Sequence, residues 1–111
     1  KVNIPLKLVF SRFSGGRDVN SNCIFVDENK LKFPLTIRKW REGDYFYPSG
    51  MNGKKKLSKY FKDEKYSLLD KENQWLLCSE DQIVWVIEKR ADSRFTSKET
   101  TQNNIKIVLE E

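Results

Sequence analysis

The sequence has no histidine, only two cysteines and three prolines, and no long apolar run. Without histidine the chain lacks the commonest general acid–base and the Ser-His and Cys-His nucleophile arrangements. Two cysteines without Cys-x-x-Cys spacing offer too few ligands for a zinc site. We therefore expect no catalytic centre, no metal site and no cofactor in this chain.

The cysteines and the chain start bear on compartment and completeness. Cys23 and Cys78 lie in apolar runs, so we expect buried free thiols in a cytoplasmic protein, with a disulfide as the alternative. No run approaches the roughly 20 apolar residues that cross a bilayer, and no secretory leader is visible. Because Lys1 stands where a methionine would open a full protein, we expect a fragment, with no membrane partner.

What the sequence does contain is typical of one folded domain. Its 111 residues are 38% hydrophobic and 13% aromatic, enough for a modest core. Alternating apolar residues predict strands at 2–10, 23–26, 34–40, 75–79, 83–87 and 105–109, with a brief pairing at 45–47. A hairpin turn is predicted at 80–82, and 83–87, apolar on both faces, is placed centrally.

Helical spacing replaces alternation over residues 55–64, where Leu57, Tyr60 and Phe61 form an apolar stripe. Residues 14–22 predict a turn-rich loop. The fold class that these patterns predict is α+β, a small β-dominated domain of residues 1–111 with one or two short helices.

Charge is unevenly distributed. Residues 30–62 contain ten Lys or Arg against two acidic residues, a net charge of +8, whereas the remainder carries −3. A basic segment in a slightly acidic domain favours a polyanionic partner, with nucleic acid first. The alternative is a solvated, lysine-rich surface.

Within this segment a glycine loop, with Gly50 and Gly53, leads into Lys54-Lys55-Lys56 and the predicted helix. Glycine lets backbone approach an anion, and helix N-termini favour negative charge. Lys55, Lys59 and Lys62 are predicted on the outer face of the helix, where they would follow a phosphate backbone.

Three further groups leave alternatives open. Residues 14–18, SGGRD, resemble a pyrophosphate loop of ATP-dependent ligases, but a turn-forming sequence follows them and a coincidental loop is the preferred interpretation. Arg90 and Arg94 either extend the basic surface or pair locally with Asp92. Aromatic side chains either stack on bases or pack; we expect packing for Trp85 and Phe61 and leave both possibilities open for Trp40, Tyr45, Tyr47 and Trp75.

Residues 34–61 resemble the C-terminal domain of bacterial tRNA(Ile)-lysidine synthases. They contain Leu-Thr-Ile-Arg at 35–38 and Gly-Asp-x-Phe-x-Pro-x-Gly-Met-x-Gly-x-Lys-Lys-Leu at 43–57. The resemblance extends over about residues 23–109. Departures are Glu88 in place of a usual glycine, Lys71 and Asn73 in place of common arginines, and Trp75 in place of a usual proline.

The resemblance implies a parent ligase that uses ATP, with Mg²⁺, to join lysine to the wobble cytidine of tRNA(Ile). Its N-terminal domain would carry the chemistry. The C-terminal domain, similar to one in the phenylalanyl-tRNA synthetase β chain, would hold tRNA near the acceptor stem. The implied phosphate contacts are Arg38, Arg41, Lys54, Lys55, Lys56, Lys59, Lys62, Arg90 and Arg94, with Gly43, Asp44, Gly50 and Gly53 shaping the loop.

Two other functions remain open at this point. The chain is alternatively a structural module that packs on its own N-terminal catalytic domain or forms a homodimer, its lysines then being solvated. An ATP-binding enzyme that uses residues 14–18 is the third possibility, and it predicts nucleotide binding by this chain alone.

Overall fold

A computed structural model describes residues 7–13, 22–98 and 103–110. These ranges contain two short α-helices, α1 (Leu57–Asp63) and α2 (Leu68–Asn73), and a 3-10 turn, Glu28–Lys30. Their strands are β1 (Lys7–Phe13), β2 (Cys23–Asp27), β3 (Leu35–Lys39), β4 (Tyr45–Phe46), β5 (Lys55–Lys56), β6 (Trp75–Ser79), β7 (Gln82–Val86), β8 (Arg90–Ala91) and β9 (Asn104–Glu110).

The strands form three antiparallel sheets. The first has the order β1-β9-β2, the second β3-β6-β7-β8, and the third is the β4–β5 ribbon. In β9, Ile105, Ile107 and Leu109 are buried while the residues between them are partly exposed. This alternation is expected for a sheet with one face toward the core and one toward solvent.

The second sheet is covered on both faces. One face packs against the first sheet in a core that includes Leu77, Val84, Trp85 and Ile107. The other face packs against α1 and β4, with Leu76, Cys78, Ile83 and Val86 meeting Phe46, Leu57, Tyr60 and Phe61. Because β6 and β7 are buried on both sides, they read as continuous apolar runs rather than alternating ones.

A β-bulge determines which residues of β7 enter each core. Leu77 pairs with Trp85 and Cys78 with Ile83, so Val84 is the extra residue. The bulge allows Val84 and the adjacent Trp85 to enter the same core. The sequence shows an apolar run here but gives no sign of where the pairing shifts.

The predicted fold class, α+β and β-dominated with two short helices, is confirmed. The hairpin turn and the interior position of β7 are confirmed as well. Trp85 and Phe61 pack in the cores as expected, and Cys23 and Cys78 are buried and not joined in a disulfide. Residues 2–6 and most of the predicted 14–22 loop, including the SGGRD segment, lie outside the described residues.

Several element boundaries differ from those predicted. β1 continues to Phe13 rather than ending at residue 10. The helix predicted over 55–64 begins at Leu57, because Lys55 and Lys56 pair with β4 instead. α2 had a usable signal in Ser67-x-x-Asp70, whose side chains and backbone N–H groups form a reciprocal capping box. β8 is too short for periodicity to indicate.

Candidate nucleic-acid interface

The glycine loop of the basic segment is built from tight turns. Asp44 N–H donates to Arg41 O at 3.1 Å, and Met51 N–H donates to Pro48 O at 3.1 Å. Gly43 and Gly50 occupy the third positions of these turns with φ of +93° and +78°. Backbone there is left-handed, which glycine adopts without a Cβ clash. One turn therefore sets the path of the chain into β4, and the other sets its path from β4 towards β5 and α1.

Arg38 is held by Asp44 and contributes to this path. The guanidinium donates to both carboxylate oxygens of Asp44 at 2.9 and 3.0 Å, and Arg41 N–H donates to the same carboxylate at 2.7 Å. Burial on its own raises the pKa of Asp44, but the bonds from Arg38 and Arg41 outweigh it and hold the pKa below its ordinary value. Arg38 therefore orders the turn that ends at Asp44.

The N-terminus of α1 is less open to an anion than its position after a glycine loop suggested. Leu57 N–H donates to Asp44 O at 2.8 Å, so one of the free helix donors is already satisfied. Lys56 stands at the N-cap and makes no side-chain capping bond. The first amide group of α1 is thus already bonded within the protein, whereas the side chains of Lys59 and Lys62 are exposed.

Asp92 is a buried organising residue that sequence reasoning treated only as a surface partner. Its carboxylate accepts from Tyr47 N–H at 2.9 Å, from Arg94 N–H at 2.7 Å and from the Arg94 guanidinium at 2.8 Å, and it is fully buried. Of the two alternatives for Arg94, local pairing with Asp92 is the one that the structure contains. The hydrogen bonds to Asp92 raise the pKa of Arg94 further.

Asp92 also ties the loop to the second sheet. Pro48 and Asp92 form an isolated antiparallel β-bridge, and Ser93 N–H donates to Tyr47 O at 2.7 Å. Arg90 adds a bond from its guanidinium to Ser49 O at 2.9 Å. The β4–β5 loop, α1 and the Arg90–Arg94 segment consequently form one connected surface.

The lysines of this surface are not equivalent. Lys55 ion-pairs with Asp63 at 2.7 Å and its side chain is only 16% exposed, whereas the Lys59 side chain, 3.8 Å from the same carboxylate, is 68% exposed. The bond from Lys55 lowers the pKa of Asp63. Lys55 therefore does not belong to the outer row predicted for it, since it lies in β5 and fastens the ribbon to α1. The outer row consists of the exposed Lys56, Lys59 and Lys62.

Aromatic residues are divided between packing and the surface. Trp40 meets Phe61 edge-on at 5.4 Å. Trp75 packs against the core shared with the first sheet and also has the Lys39 ammonium 4.3 Å from its ring, so both tryptophans take part in packing. Tyr45 is exposed, with Lys54 4.3 Å from its ring, and Tyr47 has Arg94 4.4 Å from its ring. The two tyrosines meet edge-on at 6.3 Å. The two rings thus lie side by side with one cation against each, which is an arrangement that suits stacking and phosphate contact together.

A shallow cavity of about 240 Å³ borders this surface. Gly43, Asp44, Tyr45, Asp81, Gln82 and Arg94 line it. Among the described residues no group of three or more Asp, Glu, His or Cys side chains is placed to hold a metal ion. Nor does any described helix have the length and apolar character to cross a bilayer.

The similarity to known proteins includes the basic segment. The family model of the TilS substrate C-terminal domain matches residues 35–108 of this chain. The tRNA(Ile)-lysidine synthase of Parabacteroides distasonis is 54% identical over 83 residues, which are 75% of this chain and 19% of that protein. The corresponding protein of Bacteroides thetaiotaomicron is 48% identical over 89 residues, 80% of this chain and 20% of that protein.

A solved structure shares the fold. A crystal structure of a TilS C-terminal domain superposes with a TM-score of 0.77 at 21% identity, covering 95% of this chain and 82% of the other. At that identity the match shows the architecture alone. The chain spans about a fifth of the length of the curated relatives it matches.

Proposed function

The chain belongs to the TilS substrate C-terminal domain family, and we propose that it is the tRNA-binding accessory domain of a tRNA(Ile)-lysidine synthase. Its relatives carry that enzyme name. In this proposal the remainder of the parent adenylates the wobble cytidine with ATP and Mg²⁺ and attaches lysine in the cytoplasm. The present chain contributes tRNA affinity near the acceptor stem.

The observation that carries the proposal is the exposed row of Lys56, Lys59 and Lys62 beside the Tyr45–Lys54 and Tyr47–Arg94 pairs. Lysines on a short, well-packed helix attract a phosphate backbone without reading bases. The neighbouring aromatic faces suit an unpaired nucleotide.

The ion-paired cations have a supporting role in this proposal. Arg38 and Lys55 hold the loop and the helix together through Asp44 and Asp63, and Arg94 does the same through Asp92. A guanidinium bound to a carboxylate still carries donors, so it can approach phosphate once the loop is ordered. Arg41 and Arg90 extend the surface at its two ends.

The direct test replaces Lys56, Lys59 and Lys62 together with alanine and measures binding of a tRNA(Ile) transcript by fluorescence anisotropy. The dissociation constant should rise about tenfold or more near 0.1 M salt, and the salt slope should fall by about two. The free energy of unfolding of the triple variant should remain within about 0.5 kcal/mol of that of the unaltered 111-residue chain, because these side chains are exposed.

A charge-matched control replaces Lys7, Lys30 and Lys106, which lie on the first sheet and the turn after β2. This control removes the same number of charges but should leave the salt dependence of tRNA binding nearly unchanged. If both triple variants weaken binding equally, net charge rather than this surface explains the affinity. If neither weakens binding, the proposed tRNA role is wrong.

A further inference from the structure

An apolar groove of about 490 Å³ opens between the edge strands β1 and β3. It lies on the face of the second sheet opposite α1, because Leu35, Ile37 and Leu77 line it and contact the core shared with the first sheet. The remaining apolar walls come from Leu8 and Phe10 of β1 and from Phe33. Its walls are separate from every cation of the proposed tRNA surface.

The groove leaves two phenyl rings uncovered. Phe10 is 43% exposed although it pairs with Ile107 and thus lies on the core side of its sheet, and Phe33 is 62% exposed. The second sheet does not reach over Phe10, because β3 ends that sheet. Adjoining exposed rings mark interaction sites more often than plain surface.

We propose that this groove docks the part of the parent protein that precedes the chain. The inference rests on the proposed place in a longer lysidine synthase but not on tRNA binding. Relatives are about five times as long as the matched segment, since it is 19% and 20% of two of them. The matched family is a C-terminal domain, so the missing length comes before it.

The path of the chain favours this occupant. Lys7, where the described chain enters β1, itself lines the groove. A preceding domain is therefore tethered beside the groove, and its effective concentration there is high without any additional contact. A second copy has no such tether and meets the full entropic cost of association.

Hydroxyl-radical footprinting of the parent and of the 111-residue chain, both without RNA, tests the proposal. The chain has two buried cores of its own, and a related C-terminal domain has been crystallised, so the comparison uses folded proteins. Oxidation of Phe10 and Phe33 should slow about fivefold or more in the parent, because an occupied interface core excludes water. Leu68, 72% exposed on α2, is the matched control and should oxidise equally in both.

A second measurement asks whether the groove itself holds the preceding domain. In the parent, Phe33→Ser should accelerate protease cleavage between the preceding domain and this chain about threefold or more, because looser docking leaves the connection more open to a protease. Leu68→Ser should leave cleavage unchanged.

Equal oxidation of Phe10 and Phe33 in the parent and the isolated chain would overturn the proposal. So would protection that appears in the isolated chain with rising concentration and a doubled mass, since the occupant would then be a second copy. Either result leaves the lysine surface untouched, and loss of tRNA binding in the lysine variant has no bearing on the groove.

Discussion

Two arginines and three lysines of the basic surface are used differently. Arg38 and Arg94 each bind a carboxylate through two nitrogens and are partly buried, whereas Lys56 at the start of α1 and Lys59 and Lys62 within it are exposed to solvent. The planar guanidinium fits a carboxylate in two places, which an ammonium cannot do. Positive charge here therefore serves two purposes, one of which is to order the loop and the other to remain available for a partner.

This difference predicts that substitutions at Arg38 or Arg94 change the stability of the fold more than tRNA affinity. Substitutions at the exposed lysines should have the opposite effect. The largest loss of stability is expected at the buried carboxylate that holds Arg94.

Asp92→Ala should destabilise the fold by about 3 kcal/mol, because removing one member of a buried charge pair leaves the other and two backbone N–H groups without acceptors. Urea unfolding measures this directly. Asp92→Asn keeps the size and one acceptor oxygen and should cost less. A loss below about 1 kcal/mol for the alanine variant would show that Asp92 does not organise the loop.

Arg38→Gln should cost about 2 kcal/mol at neutral pH, through loss of the paired bonds to Asp44. The pKa of Asp44 is lowered in the folded state, so its stabilising contribution is complete above the unfolded value of about 3.9 and is lost as pH falls through the folded value. As the pH falls from about 5 to about 1, the free energy of unfolding of the variant should consequently decrease less than that of the unaltered chain.

Thermal unfolding at several pH values separates this effect from a general loss of packing. If the stability of the two proteins decreased equally with falling pH, Arg38 would not be the group that lowers the pKa of Asp44. Lys62→Gln, which removes an equal charge from an exposed side chain, is the matched control and should leave the dependence of stability on acid pH unchanged.

The smallest effect is expected at Glu88, which stands where glycine is usual in the family pattern. Its φ of +70° is in the left-handed region, where a Cβ is strained by about 1–2 kcal/mol. Glu88→Gly should therefore raise stability by about 1 kcal/mol, measured by urea unfolding, with Glu88→Ala giving no gain. Because the turn leads into Arg90, unchanged tRNA affinity in the stabilised variant would sharpen the separation of stability from binding.

Much of the fold was predictable because its elements have clear periodicity. The β6–β7 hairpin and the apolar stripe of Leu57, Tyr60 and Phe61 were visible in the sequence. The pairing partners of short segments were not visible in the sequence. Lys55 was therefore assigned to the helix, although it pairs with Phe46 of β4. Local propensity does not indicate that a two-residue ribbon will form across a glycine loop.

The candidate site was located by charge but not resolved into roles. Counting cations finds Arg38, Arg94 and Lys55 together with Lys59, and cannot tell which will meet a carboxylate across the fold. Asp44 and Asp92 lie six and two residues from their arginines, so sequence proximity was a usable signal. The pairing of Lys55 with Asp63 was less accessible, since it depends on where α1 begins.

The bulge at Val84 has a consequence for insertions and deletions. Ile83 and Val86 face the same core, the one beside α1, although three positions separate them, because Val84 and Trp85 between them both face the other core. Removing the extra residue Val84 would leave Ile83, Trp85 and Val86 alternating between the two cores without a bulge, whereas removing Ile83 would bring Gln82 into its place in an apolar core. A library of one-residue deletions should therefore tolerate the loss of Val84 better than the loss of Ile83, although both residues are apolar and buried.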